Sequence, residues 1–199
     1  GRAGRGRPAR TRQVKFRLAA AIAAALLAAD APLPQFVDVA RQAGVGFHHT
    51  NGASPDRHLV ETMGSGGIFF DYDGDGWEDI FLVDGGSLAD PAVHRRARHR
   101  LYHNRGNGTF EDVTDRSGIT HREYGMGACA GDYDGDGRPD LYITNDGPNT
   151  LYHNNGDGTF TDVAAKAGVT TATKISRWNT GCAFVDYDRD GKLDLFVAN

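Results

Sequence analysis

Short apolar runs recur at matched places along this chain, and each follows a cluster of aspartates. Ile80-Phe81-Leu82-Val83, Leu141-Tyr142-Ile143-Thr144 and Leu195-Phe196-Val197-Ala198 are rich in β-branched and aromatic side chains, the composition of a β-strand. A second strand is predicted ahead of each cluster. Five residues before the first Asp of the cluster stands Gly66, Gly127 or Gly181, followed by Gly67, Ala128 or Cys182. Small residues at matched places imply strands crowded against one another, as at the axis of a radial array. A third pattern joins two more strands. Leu101-Tyr102-His103-Asn104 and Leu151-Tyr152-His153-Asn154 each lead through an Asn/Asp/Gly turn into Phe110-Glu111-Asp112-Val113 or Phe160-Thr161-Asp162-Val163, the signature of a hairpin. The tail, Phe-x-Asp-Val followed by four residues and then Gly-Val or Gly-Ile, occurs in Phe36–Val45, Phe110–Ile119 and Phe160–Val169.

The repeating unit is therefore strand, acidic loop, strand, turn, strand, hairpin, strand. The acidic loops begin at Asp71, Asp132 and Asp186, so they recur at spacings of 61 and 54 residues. Four strands in a repeat of that length define a β-propeller blade. The expected fold is all-β, a propeller of four-stranded blades over residues 32–199. About two and a half blades are expected, the third represented by its first two strands and the ring incomplete.

The acidic loops carry the chemistry. Asp71, Asp73, Asp75 and Asp79 occupy positions 1, 3, 5 and 9 of the first loop. Asp132, Asp134, Asp136 and Asp140 do so in the second, and Asp186, Asp188, Asp190 and Asp194 in the third. Carboxylates aimed at one centre repel one another until a cation relieves them. All-oxygen donors suit Ca²⁺, and Mg²⁺ less well. Gly76, Gly137 and Gly191 at position 6 are expected at positive φ, where the missing Cβ removes the steric cost. Position 7, held by Trp77, Arg138 and Lys192, is assigned as a ligand through its backbone carbonyl alone, which leaves its side chain free. An EF-hand is disfavoured, because it needs flanking helices and a bidentate Glu at position 12. Leu82, Ile143 and Val197 stand there instead.

Composition supports many tight turns: 27 glycines in 199 residues are about double the usual share of roughly 7 %. The net charge of −4 hides two different ends. Seven Lys and Arg and no acid lie within residues 1–17, and twelve of the 26 acidic residues are the loop aspartates. The acidity thus concerns cations, and nothing points to nucleic acid. Residues 18–29 are an apolar run, with an Ala-x-Ala pattern at 29–31. Residues 1–31 are predicted to be a secretory signal peptide, with an uncleaved anchor or a buried helix as the alternative. Localisation is then secreted or periplasmic, with no membrane span left after cleavage. Cys129 lies three residues before its loop and Cys182 four before its own. Those offsets place them on opposite strand faces, which predicts two separate buried thiols and no disulfide. The segment His94-Arg95-Arg96-Ala97-Arg98-His99-Arg100 lies in an insertion of the first unit. It is read as a solvated rim loop, with an acidic glycan or lipid headgroup as its functional alternative.

The acidic loops, the segment Leu59-Val60-Glu61-Thr62-Met63-Gly64-Ser65-Gly66-Gly67, the phrases Phe47-His48-His49-Thr50-Asn51-Gly52 and Tyr124-Gly125-Met126-Gly127, and the Leu-Tyr-His-Asn hairpins resemble FG-GAP/VCBS repeats. The resemblance is closest to the cartilage acidic protein family, which carries an ASPIC/UnbV domain. It covers residues 36–199. It implies a Ca²⁺-binding extracellular propeller that presents loops to a protein or polysaccharide partner. It also implies an N-terminal fragment, with further blades and a C-terminal domain in the full-length chain. It supplies no catalytic residue.

Two further functional classes are distinguishable. Propellers also carry glycan lyases and hydrolases. For such an enzyme acting on polysaccharide, His48, His49, His58 and Glu61 are the candidate polar groups. Ser65 and Ser87 have no partner legible in the spacing. A calcium-responsive switch needs a bistable element, and rigid loops between strands offer none.

Overall fold

The computed structural model describes residues 34–120, 123–170 and 178–199. The proposed signal segment lies outside them. Val39–Asn199 form one compact unit. In the segment before it, residues 34–38 are exposed and lie outside regular secondary structure.

The unit is built from antiparallel sheets in simple chain order. The first contains β1 (Gly67–Phe70), β2 (Asp79–Leu82), β3 (Arg100–Asn104) and β4 (Phe110–Asp112). The second contains β5 (Tyr124–Gly131), β6 (Asp140–Asp146), β7 (Thr150–Asn154) and β8 (Phe160–Asp162). The third is the pair β9 (Gly181–Val185) and β10 (Asp194–Ala198). These are the expected blades, two complete and one represented by two strands. Equivalent strands keep equivalent pairing: Tyr102 faces Asp112 as Tyr152 faces Asp162.

Alternation along each strand divides the core between the two faces of the second blade. Ala128, Ala130, Leu141, Ile143, Tyr152 and Phe160 join a cluster with Phe70, Phe81 and Leu101 of the first blade. The intervening Cys129, Tyr142 and Leu151 join a cluster with Cys182, Phe184 and Leu195 of the third. Phe81, Leu101 and Leu141 have no accessible surface. On the outer faces of the first and third sheets the same alternation leaves Phe69, Val185 and Phe196 exposed.

The glycines ahead of the loops do pack together. A Cβ on Gly66 would lie 3.2 Å from Gly127 Cα, and one on Gly127 would lie 3.1 Å from the Thr180 carbonyl oxygen and 3.7 Å from Gly181 Cα. The Gly66 N–H also donates to the Met126 carbonyl at 2.7 Å. Neighbouring blades meet here backbone to backbone, so a branched side chain has no room. Gly127→Val is expected to cost about 1–3 kcal/mol by overpacking, read as a drop in the denaturation midpoint.

Among the described residues, three short α-helices interrupt the all-β pattern, α1 (Pro91–His94), α2 (Thr114–Ser117) and α3 (Ala164–Ala167), beside one 3-10 turn at Leu59–Thr62. The Phe-x-Asp-Val tail explains two of them. Asp112 Oδ1 accepts from the Thr114 N–H at 3.0 Å, and Asp162 Oδ1 from the Ala164 N–H at 3.1 Å. Each carboxylate satisfies a first-turn donor that the helix itself leaves unpaired. Gly118 at φ 77° and Gly168 at φ 71° end the helices. Gly118 also abuts the next blade, since a Cβ there would meet the Phe160 carbonyl at 2.8 Å. Gly44 repeats this contact against the Phe110 carbonyl at 2.6 Å, and Phe110 N–H donates to Ala43 at 2.7 Å. Residues 43–45 thus serve the first blade as 117–119 serve the second.

Two expectations are corrected. Cys129 and Cys182 form a disulfide, with Cα atoms 5.8 Å apart. Opposite faces were read as an obstacle, but that holds only within one sheet. The cysteines are on adjacent blades, where the forward face of one must meet the backward face of the next. The basic insertion is also more structured than a solvated loop. Asp90 caps α1 through the Ala92 N–H at 2.7 Å, and Ala97 and His99 are buried. His99 Nδ1 accepts from the Asp84 N–H at 3.0 Å. Asp84 Oδ2 accepts from the Arg98 N–H at 2.8 Å. Arg95, Arg96 and Arg98 remain exposed.

Candidate metal centre

Each acidic loop runs from the end of one inner strand to the start of the next. Its aspartates have different jobs. Position 1 organises the loop backbone. Asp71 Oδ1 accepts from the N–H groups of Gly74 and Asp75 at 2.8 and 3.1 Å, and its Oδ2 from Gly76 at 2.9 Å. Asp132 accepts from Gly135, Asp136 and Gly137 at 2.8, 3.0 and 2.8 Å. Asp186 accepts from Asp190 and Gly191 at 3.1 and 3.0 Å.

Position 6 has the expected left-handed backbone, with φ of 88° at Gly76, 88° at Gly137 and 87° at Gly191. Position 4 is left-handed as well, and there the third loop places Arg189 at φ 64°, a conformation uncommon outside glycine.

Position 9 opens the second strand; it is buried in the two complete blades and half-buried at Asp194 in the third. Asp79 and Asp140 have no accessible surface. Asp79 accepts from the Tyr72 N–H at 3.1 Å and the Asn104 N–H at 2.7 Å. Asp140 repeats this with Tyr133 at 3.2 Å and Asn154 at 2.8 Å, and Asp194 accepts from Tyr187 at 3.2 Å. Burial outweighs these bonds and pushes the Asp79 carboxyl up to about 6, with Asp73 adding to the shift. Burial raises Asp140 in the same way. A carboxylate so placed calls for a cation.

Ligand atoms of Asp71, Asp73 and Asp75 lie within 4.8 Å of one another, as do those of Asp132, Asp134 and Asp136, and those of Asp186, Asp188 and Asp194. The donor sets are all carboxylate oxygen, which fits a hard dication. Asp79 and Asp140 join through the shared residues Asp73 and Asp134, in clusters that also contain His103 and His153. The sequence reading did not include these histidines. The matched Leu-Tyr-His-Asn hairpins were a signal, but nothing in linear spacing shows that the third strand runs beside the loop.

At position 7 the N–H of Trp77, Arg138 and Lys192 donates to the position 5 carboxylate at 2.9, 2.9 and 2.8 Å. Its side chain was expected to be idle, and in the complete blades it is not. Trp77 covers Gly106, and Arg138 covers Gly156, where a Cβ would lie 2.8 and 3.0 Å away. The Arg138 guanidinium also pairs with Asp136 and donates to the Asn154 carbonyl at 3.2 Å.

The residues considered for catalysis separate. His48 and His49 line a cleft of about 430 Å³ together with Asn51, Ser54, Ser87 and Asp90. His58 is exposed and Glu61 buried. The Glu61 carboxylate accepts from the Ser54 hydroxyl at 2.7 Å and its N–H at 2.9 Å, bonds that hold its pKa below the ordinary value. Glu61 thus fixes the 54–61 turn. Ser65, read from spacing as partnerless, hydrogen-bonds His49 Nε2 at 2.9 Å and donates to the Gly125 carbonyl at 2.6 Å.

The FG-GAP-like repeat family matches residues 71–143 and 132–197. The chain belongs to this family, whose repeats are propeller blades typical of extracellular interaction proteins and often bind Ca²⁺. No curated protein matches the chain. Among the described residues, no helix is long and apolar enough to cross a membrane.

Proposed function

We propose that this chain is a secreted, calcium-stabilised propeller module that engages an extracellular protein or polysaccharide through its blade-edge loops. The observation that carries the proposal is the threefold recurrence of one loop geometry, in which carboxylates converge on a backbone that the position 1 aspartate already fixes. The family supports an extracellular interaction role. The Cys129–Cys182 disulfide suits an oxidising compartment, and millimolar extracellular calcium fills sites of modest affinity. The ligands assigned to Ca²⁺ are the aspartates at positions 1, 3, 5 and 9, with the carbonyls of Trp77, Arg138 and Lys192. Within the family, the Phe47–Gly52 and Leu59–Gly67 phrases favour the cartilage acidic protein branch. In that reading residues 1–31 are the export signal, and further blades and an ASPIC/UnbV domain complete the protein.

The test is capture from extracellular matrix extract by the full chain, with and without calcium. Binding that chelation and Asp134→Ala both abolish supports the proposal. Polysaccharide cleavage that His48→Ala eliminates would overturn it in favour of an enzyme.

A further inference from the structure

His103 and His153 stand on equivalent strands of the two complete blades and make the same unusual set of contacts. His103 Nδ1 lies 3.1 Å from Asp73 Oδ2 and 3.4 Å from Asp79 Oδ1. His153 Nδ1 lies 3.2 Å from Asp134 Oδ2 and 3.2 Å from Asp140 Oδ1. Both Nδ1 atoms are sealed from solvent, and neither makes a hydrogen bond. The ligand atoms of each trio lie within 4.8 Å of one another.

We propose that each complete blade holds an inner cation position, Asp73–Asp79–His103 in the first and Asp134–Asp140–His153 in the second, which takes a borderline dication such as Zn²⁺. The position shares two carboxylates with the calcium loop, Asp73 and Asp79 in the first blade and Asp134 and Asp140 in the second, but its donor chemistry differs. Two carboxylate oxygens and one imidazole nitrogen suit zinc, whereas calcium takes oxygen alone. Three protein ligands leave a further coordination position for water or a partner's donor.

The surroundings hold these groups in place. Asp79 and Asp140 are each fixed by two backbone N–H groups. The imidazoles stand edge-on to Tyr72 and Tyr133, with centroids 6.2 and 6.4 Å apart. Such outer contacts orient ligands before a metal arrives. The geometry recurs although position 7 changes from Trp77 to Arg138, so it belongs to the blade and not to one loop's packing. The third loop groups Asp186, Asp188 and Asp194 with no histidine among the described residues, and is assigned no inner position.

The proposal uses the same loops as the calcium reading, so the two metals are titrated separately. The chelated full chain is titrated with Zn²⁺ alone and again in saturating Ca²⁺, with uptake read by calorimetry and elemental analysis. Two zinc equivalents are expected, one lost in His103→Ala, the other in His153→Ala, with calcium uptake retained in both. X-ray absorption at the zinc edge of the unmodified chain needs no variant to fold, and should show one imidazole per zinc at these sites. An all-oxygen shell, no zinc uptake, or uptake unchanged in the double variant each overturns the inner site. Calcium uptake in that case still stands for the outer loops. Imidazole-bound zinc without calcium uptake would overturn the calcium reading and leave this one in place.

Discussion

Chelation of calcium is expected to lower the melting temperature of the full chain by on the order of 15–30 °C. A site with a dissociation constant of about 10⁻⁵ M adds roughly 2.7 kcal/mol at about 1 mM calcium. Three independent sites add about 8 kcal/mol, and each kcal/mol moves the midpoint of a domain this size by roughly 2–4 °C. That sum is comparable to the whole stability of an ordinary domain, about 5–15 kcal/mol. The origin is visible in Asp79, which has no accessible surface and whose carboxyl burial pushes up to about 6. Magnesium should restore melting poorly, because it demands a smaller octahedral site. Asp134→Ala should remove one calcium and leave two. Asp132→Ala should remove the same ion and cost more stability, because three loop N–H groups also lose their acceptor. Arg138→Ala should keep all three ions and lose less than about 1 kcal/mol, since its guanidinium contacts are half exposed. Titration calorimetry and melting curves read both quantities. Melting that EDTA leaves unchanged would remove calcium from the account of this fold.

The loops were legible because their information is local. Four aspartates and a glycine within nine residues specify a turn, its handedness and its charge, and three copies fix the spacing of the blades. The axial glycines were legible for a related reason: the same small residue at the same offset in each repeat reports the same close approach. Contacts made across the repeat were not legible. His103 reaches the first loop from a strand that starts after an insertion, so its distance from Asp79 along the chain says nothing of its 3.4 Å approach. Arg138 failed for a different reason. Its backbone was assigned a role, and that was taken to free the side chain, whereas the hairpin glycine at 156 leaves a space that the guanidinium fills.

The cysteine pair was misread through an argument correct in its first half. Offsets of three and four residues do put Cys129 and Cys182 on opposite strand faces. In a radial stack that arrangement brings two residues together, because Ala128 and Cys129 point toward different neighbouring blades. Face parity therefore has to be assigned blade by blade before it is used to exclude a contact.

Reduction of this disulfide is expected to destabilise the chain by about 4 kcal/mol, the chain-entropy value for the loop it closes, which spans a sequence separation of 53 residues. The bond ties β5 to β9, so it pins the third blade to the second beside the cluster of Tyr142, Leu151 and Phe184. The loss should therefore fall mainly on that boundary. Hydrogen exchange in Cys129→Ala/Cys182→Ala should rise first in β9 and β10, while β2 and β3 of the first blade keep their protection. The double alanine variant separates the cross-link from the chemistry of free thiols, and should match the reduced chain in its denaturation midpoint. A variant that melts with the oxidised protein, or that loses protection equally in all three sheets, would show that the bond does not hold this boundary.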